Sequence, residues 1–193
     1  MKKLAQILFK YRSYTPIPFV VIMLIFYNGN VLSWAAGSIV LLLGEAIRLW
    51  AIIFAGSLTR TTTCVKAKEL VTCGPYSFTR NPLYIGNVLI YVGFGIITYS
   101  LFPYLQLVAL AWFIFQYILI IGIEEEFLAG KFGEKYSEYK KNTPRFFPKF
   151  ISQNAEVFTH IKPNFKKGLK SEIRTLQALM SVALLAMIIH LVK

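Results

Sequence analysis

Residues 68–86 are the first of two polar segments whose side chains could do chemistry. Asn81-Pro82 begins the apolar run that follows, since Pro82 suits the first turn of a helix and Asn81 its cap. The N–H groups at such a helix start, with Arg80 beside them, favour an anionic group. Three aromatic rings in this segment could stack on a purine or face a cation: Tyr76, Phe78 and Tyr84. The alternative is a helix entry with ordinary interfacial aromatic residues.

The second polar segment, residues 124–148, begins with three consecutive glutamates, Glu124, Glu125 and Glu126. A helix C-terminus at the cytosolic membrane edge normally carries lysine or arginine, so we expect a cationic or hydroxyl-rich group to meet at least one carboxylate. Beyond them, apolar residues recur at a spacing of three to four and predict an amphipathic helix on the membrane surface: Phe127, Leu128, Phe132, Tyr136 and Tyr139. We interpret this stripe as packing rather than as a site.

Two charged residues lie inside an apolar run. Glu45 and Arg48 are three residues apart and can pair on one helix face. Arg48 lies about 10 Å inside the cytosolic boundary, a depth at which charges usually face a cavity of the helix bundle. The alternative is a structural ion pair. Gly86 and Gly93 share a face of a later apolar run and predict close approach of a neighbouring helix or a ligand.

Composition places these residues in a membrane protein. Of the 193 residues 56% are hydrophobic, above the roughly 45–50% of soluble domains. The net charge is +12, and the charged residues lie between the apolar runs. The expected partner is therefore a membrane surface and not a nucleic acid. All nine acidic residues are glutamate and only two histidines occur, so we expect no metal site. We expect Cys64 and Cys73 to be reduced and unpaired.

Five apolar runs predict an all-α integral membrane protein with about five transmembrane helices, at residues 15–28, 31–55, 83–99, 102–123 and 174–192. Short linkers join the first run to the second and the third to the fourth, so each pair is expected to form an antiparallel hairpin. The whole chain, residues 1–193, is interpreted as one domain.

Nineteen of the 21 lysines and arginines fall on one side of these spans, which predicts a cytosolic N-terminus and an outer C-terminus. We expect the membrane to be a bacterial inner membrane. We do not expect residues 1–37 to be a cleaved signal peptide, because cleavage would separate hairpin partners. Residues 150–174 are typical either of an interfacial helix broken at Pro163 or of a solvated linker.

The two polar segments contain a series of motifs: Leu70-Val71, Gly74, Tyr76, Arg80-Asn81-Pro82-Leu83-Tyr84-Ile85-Gly86, Glu124-Glu125-Glu126 and Phe132-Gly133-x-x-Tyr136-x-x-Tyr139. In order and spacing they resemble the isoprenylcysteine carboxyl methyltransferase family and the related phospholipid N-methyltransferases. The resemblance covers about residues 68–148. The chain has Asn81 where the signature has histidine, and residues 118–123 lack an arginine that isoprenylcysteine enzymes have before the acidic cluster.

The resemblance implies that S-adenosyl-L-methionine binds in a cytosolic pocket between the loop before the third span and the acidic end of the fourth. The residues it implies for this cofactor site are Lys68, Leu70, Val71, Tyr76, Arg80, Asn81, Pro82, Leu83, Tyr84 and Glu125. Arg80 and Arg145 would hold anionic groups of the cofactor or of a lipid phosphate. Arg48 or Arg145 would have to replace the missing arginine if the acceptor is a carboxylate.

The reaction implied is methyl transfer to a lipid-like or isoprenylcysteine-like acceptor that enters from the bilayer. Glu125 is the preferred site carboxylate, and Glu45 is the candidate that deprotonates or orients an amine. Two other functions stay open. Membrane sterol and steroid reductases, which bind NADPH, look similar in this half of the chain. A non-catalytic membrane scaffold could use the acidic cluster to bind a basic partner.

Overall fold

The computed structural model describes residues 2–56, 69–148 and 163–193. Within these ranges the chain is helical and contains no strand, which confirms the all-α prediction. The helices are α1 (Lys2–Tyr11), α2 (Ile17–Ile25), α3 (Val31–Ala55), α4 (Pro82–Thr98), α5 (Tyr104–Phe132), α6 (Glu134–Asn142) and α7 (Phe165–Val192), with a 3-10 turn at Gly74–Ser77 before α4.

Among the described residues, three helices are long and apolar enough to cross a membrane: α3, α5 and most of α7. The first and third predicted spans form shorter apolar helices, α2 with nine residues and α4 with 17. The nine residues of α2 extend only about 14 Å. Proline accounts for both starts, because Pro16 is the N-cap of α2 and Pro82 the first residue of α4.

Helices α3 and α4 run antiparallel with their backbones in close contact. A Cβ atom added at Gly93 would lie 2.5 Å from the backbone nitrogen of Leu41, and one added at Gly86 would lie 2.7 Å from the carbonyl oxygen of Gly44. Any side chain at these positions would force the helices apart. The predicted close approach at Gly86 and Gly93 is therefore confirmed, and its cause is helix packing.

The predicted pairing of the first two apolar runs as a hairpin is wrong. Helix α2 packs against α4 and α7 and not along α3, whose main neighbour is α4. The linker between α2 and α3 is bonded to the end of α4, where the Asn28 N–H donates to the Thr98 carbonyl at 2.8 Å. The glycines bring the backbones of α3 and α4 together, and α3 has more contact with α4 than with any other helix. The second hairpin, α4 with α5, is confirmed.

The predicted amphipathic stripe packs inward except at Phe127, but it is divided at Gly133, with its first three residues in α5 and Tyr136 and Tyr139 in α6. Tyr136 and Tyr139 are buried against Leu70, with Leu128 and Phe132 beside them. Helix α7 runs antiparallel to α3, because the start of α7 lies beside the end of α3. There the Asn164 N–H donates to the Ile53 carbonyl at 3.1 Å. Most of the predicted interfacial segment, residues 149–162, lies outside the described residues, as do Cys64 and Lys68.

Candidate functional site

One cavity of about 770 Å³ opens among helices α1 to α7, near the turn after α1. Ten of the residues predicted from the sequence line it: Arg48, Leu70, Val71, Tyr76, Arg80, Asn81, Pro82, Leu83, Tyr84 and Glu125. Glu45 and Arg145 do not line the cavity but contact residues that do. The start of α4 and the acidic end of α5 therefore meet at a single site.

Backbone contacts explain why these two segments meet. The Arg80 N–H donates to the Pro144 carbonyl at 2.9 Å, and the Thr79 hydroxyl donates to the Arg145 carbonyl at 3.1 Å. Asn81 donates its side-chain amide to the same Arg145 carbonyl at 3.0 Å. The predicted side-chain cap is thus wrong: Asn81 is the N-cap residue of α4 by position, but its side chain makes no capping bond.

Glu125 lies at the centre of an ion cluster. Its Oε1 accepts from Arg80 Nη2 at 2.9 Å and from Arg80 Nε at 3.1 Å, and it lies 3.4 Å from Arg145 Nε. The remaining Arg80 nitrogen, Nη1, donates to the carbonyls of Thr143 and Lys140 at 2.6 and 3.1 Å. All three guanidinium nitrogens of Arg80 therefore donate hydrogen bonds to protein oxygen atoms.

The other two glutamates of the cluster also have partners from this chain. Glu124 accepts from the Tyr84 hydroxyl at 2.9 Å and lies 3.8 Å from Arg12 Nη1, while Glu126 pairs with Lys2 at 2.5 Å on the surface. The prediction that a cationic or hydroxyl group meets this cluster is confirmed for all three carboxylates. Arg12 reaches the site from the far end of the chain, and nothing in the local sequence indicated it.

Tyrosine side chains surround the polar end of the cavity. The rings of Tyr84 and Tyr117 lie 4.7 Å apart, and the Tyr139 hydroxyl donates to the Tyr76 carbonyl at 2.7 Å. Burial raises the pKa of Tyr136 to about 12, with a smaller effect from the Glu125 charge, and burial also raises the pKa of Tyr139. These phenols stay protonated at neutral pH, so they offer neutral hydroxyls and aromatic faces.

A second ion cluster lies deeper, around Arg48. Its Nη2 donates to Glu172 Oε2 at 2.7 Å, its Nη1 donates to the side-chain oxygen of Asn87, and its Nε lies 3.6 Å from Glu45 Oε2. The predicted pair of Glu45 with Arg48 is confirmed. The sequence reading missed Glu172, which is 1% exposed, because it counted the start of α7 as cytosolic surface.

Beyond Arg48 the cavity becomes apolar. Leu41 lies seven residues before Arg48 on α3, about 10 Å deeper along the helix. Apolar side chains from α2, α3, α4 and α7 line this part: Val20, Leu41, Ile90, Phe94, Ala178, Leu179 and Val182. A ligand that fills the whole cavity would need one polar end and one hydrocarbon end.

The side chains that could bind a metal ion are not grouped in residues 2–56, 69–148 and 163–193. In that part of the chain no group of three or more histidine, cysteine, aspartate or glutamate side chains is placed to hold a metal ion. The carboxylates of both ion clusters face arginine or lysine instead.

Comparison with known proteins gives three relatives. The chain is 38% identical over 109 residues to the cobalt-zinc-cadmium resistance protein CzcN of Cupriavidus metallidurans, covering 56% of this chain and 46% of the relative. It is 42% identical over 84 residues to the nickel-cobalt-cadmium resistance protein NccN of Alcaligenes xylosoxydans xylosoxydans, covering 44% and 38%. It is 32% identical over 115 residues to the protein-S-isoprenylcysteine O-methyltransferase of Tribolium castaneum, covering 58% and 40%.

The chain therefore spans less than half the length of each of these relatives. No solved structure matches it significantly. The family model described as phospholipid methyltransferase matches residues 32–135, which run from the start of α3 through the acidic cluster into α6. This match covers more than half of the sequence and includes the parts of α3, α4 and α5 that line the cavity. The chain belongs to the phospholipid methyltransferase family.

Proposed function

We propose that this protein is an S-adenosylmethionine-dependent methyltransferase acting on a lipid-like or isoprenylcysteine-like acceptor at the cytosolic face of the membrane. One observation carries the proposal: a single cavity joins a polar end, built from the family's motif residues, to an apolar end at membrane depth. The cofactor would enter from the cytosol and the acceptor from the bilayer. The two would meet near Arg48 and Tyr84.

The polar end fits the chemistry of the cofactor. Tyr76 and Tyr84 line the polar end with aromatic rings that suit a purine or a sulfonium, and the carboxylates of Glu124 and Glu125 suit ribose hydroxyls or an ammonium group. When bound, the cofactor would supply a methyl group on a positively charged sulfur. We assign Arg80 to positioning Glu125 rather than to direct anion binding, because protein acceptors occupy its three nitrogens.

The apolar end fits the hydrocarbon part of an acceptor. Arg174, Ala178 and Val182 recur at four-residue spacing on α7 and all line the cavity. Arg174 is exposed at the rim and could hold an anionic group of a lipid while the apolar residues hold its chain. This arrangement is the reason for preferring a lipid-like acceptor to a small polar one.

The charges near the acceptor site favour an amine over a carboxylate. Arg48 and Arg145, the two candidates to replace the missing family arginine, are both ion-paired with glutamates. Around Arg48, two carboxylates face one guanidinium, so an acceptor carboxylate would add repulsion there. Glu45 does not line the cavity, and we therefore assign it to orienting Arg48.

Transfer from sulfonium sulfur to a nucleophile is an in-line displacement. Positioning and exclusion of water would supply most of the rate acceleration, and the tyrosines and paired charges that line the polar end would contribute the positioning. An amine acceptor must first lose a proton, whereas a thiolate or carboxylate need not.

The surroundings of the site follow from the charge distribution. Lysine and arginine lie mainly at the end formed by α1, α6 and the start of α7, which supports a cytosolic N-terminus and an outer C-terminus. We also propose that the membrane is a bacterial inner membrane. The whole chain would act as one domain, with a cofactor half at about residues 68–148 and a C-terminal part at 149–193. The proposal uses no metal and no nucleic acid.

A reductase that binds NADPH is the main rival. Its several phosphate charges would require available cations at the polar end, but Arg12, Arg80 and Arg145 there are paired with glutamates. A thermal-shift assay on the detergent-purified protein separates the two, with S-adenosylhomocysteine in one arm and NADPH in the other. We expect stabilisation by S-adenosylhomocysteine alone, since a ligand that binds only the folded state raises its stability.

The acceptor is identified by product analysis. The purified protein is incubated with radiolabelled S-adenosylmethionine and a total lipid extract, and the labelled lipid is separated and identified. A labelled aminolipid supports the proposal. Stabilisation by NADPH would instead indicate a reductase. Stabilisation by neither cofactor would indicate a non-catalytic scaffold.

A further inference from the structure

Helix α7 contributes an ionic group to the cavity from outside the segment that defines the family. The family match ends at residue 135, whereas Glu172 lies in α7, and its carboxylate binds Arg48 Nη2 at 2.7 Å. Glu172 is 1% exposed and the Arg48 side chain 13%. The pair is therefore a buried, charge-assisted contact between two helices that are far apart in sequence.

Arg48 stands at the level where the cavity changes character. On the same helix, Leu41 lies about 10 Å deeper in the apolar part, while Ala55 lies about 10 Å nearer the polar end. Across from Arg48, Asn87 of α4 accepts from its Nη1. The guanidinium thus forms the wall at which a methyl donor in the polar end and an acceptor in the apolar end would meet.

Two hydrogen-bond acceptors, Glu172 and Asn87, hold this guanidinium, and Glu172 is the nearer of its two ion-pair partners. Glu45 lies farther from it, at 3.6 Å, and its two carboxylate oxygens have no hydrogen-bond partner. Loss of Glu172 would leave Arg48 with Asn87 and a distant carboxylate, so its position on the wall would no longer be fixed. Breaking one side of a buried pair leaves the other charge uncompensated.

We propose that Glu172 is a positioning residue for methyl transfer. Glu172 holds Arg48 in place at the junction between the two ends of the cavity. It thereby raises kcat/KM for methyl transfer to the acceptor without contributing to cofactor affinity. This inference rests on the proposed function. It also makes α7 part of the site and not only a membrane-spanning helix.

Two measurements on Glu172→Gln in detergent test this role. Calorimetry with S-adenosylhomocysteine should give an affinity within about twofold of the wild type. Methyl incorporation from radiolabelled S-adenosylmethionine into a total lipid extract should fall at least tenfold in kcat/KM for the extract. The matched control is Glu126→Gln, which removes a surface ion pair with Lys2 and should change neither value. Glu172→Asp, which retains the charge, should recover part of the loss.

A double-mutant cycle shows whether Glu172 works through Arg48. If it does, Arg48→Gln combined with Glu172→Gln should lose no more activity than Arg48→Gln alone. The inference is overturned if Glu172→Gln turns over like the wild type, if its cofactor affinity falls in parallel with turnover, or if the two losses multiply. Wild-type protein that does not bind S-adenosylhomocysteine overturns the proposed function itself. Wild-type protein that binds it but labels no lipid overturns the lipid acceptor and this role together.

Discussion

Glu125→Gln offers the sharpest test of the cofactor end. The substitution keeps the size of the side chain but removes the charge that pairs with Arg80 at 2.9 Å and lies 3.4 Å from Arg145. The bond that matters for affinity is the one that the Glu125 carboxylate would make to a ribose hydroxyl or the ammonium group of the cofactor. A hydrogen bond to a charged group contributes about 1.5–3 kcal/mol, which corresponds to roughly 10- to 150-fold in affinity. Arg80 keeps its bonds to the Thr143 and Lys140 carbonyls, so we expect the lower part of this range, about 10- to 30-fold.

The assay is calorimetric titration of detergent-purified protein with S-adenosylhomocysteine. Glu126→Gln is the matched control, because the neighbouring Glu126 is 61% exposed and its surface pair with Lys2 is expected to contribute less than about 1 kcal/mol. Thermal unfolding without ligand separates lost affinity from lost stability. An unchanged affinity in Glu125→Gln would refute the assignment of this ion cluster to the cofactor end.

Three further predictions concern single residues. Tyr84→Phe removes the bond to Glu124 and should weaken S-adenosylhomocysteine binding about tenfold by calorimetry, while Tyr84→Ala should abolish it; wild-type affinity in both would exclude Tyr84 from the site. Gly93→Ala should lower the thermal midpoint, because its Cβ would overlap α3, whereas Gly122→Ala, with no atom within 4 Å of its Cβ, should not; equal midpoints would contradict the packing. Burial raises the pKa of Tyr136 to about 12, so its folded state holds the proton more tightly than the unfolded chain. Its contribution to stability should therefore be complete below pH 10 and be lost from about pH 10 to 12, and denaturant unfolding of Tyr136→Phe should show a weaker loss.

Part of the site could be predicted from the sequence. The resemblance to the methyltransferase family implied that Tyr84 and the acidic cluster share one pocket, and the structure joins them by the bond from Tyr84 to Glu124. The pair of Glu45 with Arg48 follows from helical periodicity, since residues three apart share a face. The close contact at Gly93 follows from the absence of a side chain.

The partners from distant parts of the chain could not be predicted in this way. Arg12 approaches Glu124 across more than a hundred residues, and Glu172 approaches Arg48 across a similar distance in sequence. The short linker between α2 and α3 led to the wrong prediction that these two helices pair. Helix α3 packs on α4 instead, because glycines on both helices let their backbones come into contact.

The sequence by itself determined the membrane setting, the helical class and the set of polar residues that must find partners, because hydrophobicity, periodicity and the cost of burying a charge are properties of the residues themselves. Only the tertiary structure decided which partners they take. A guanidinium can bind any carboxylate that the helix packing brings within reach, and here that packing directs Arg80 to Glu125 and Arg48 to Glu172.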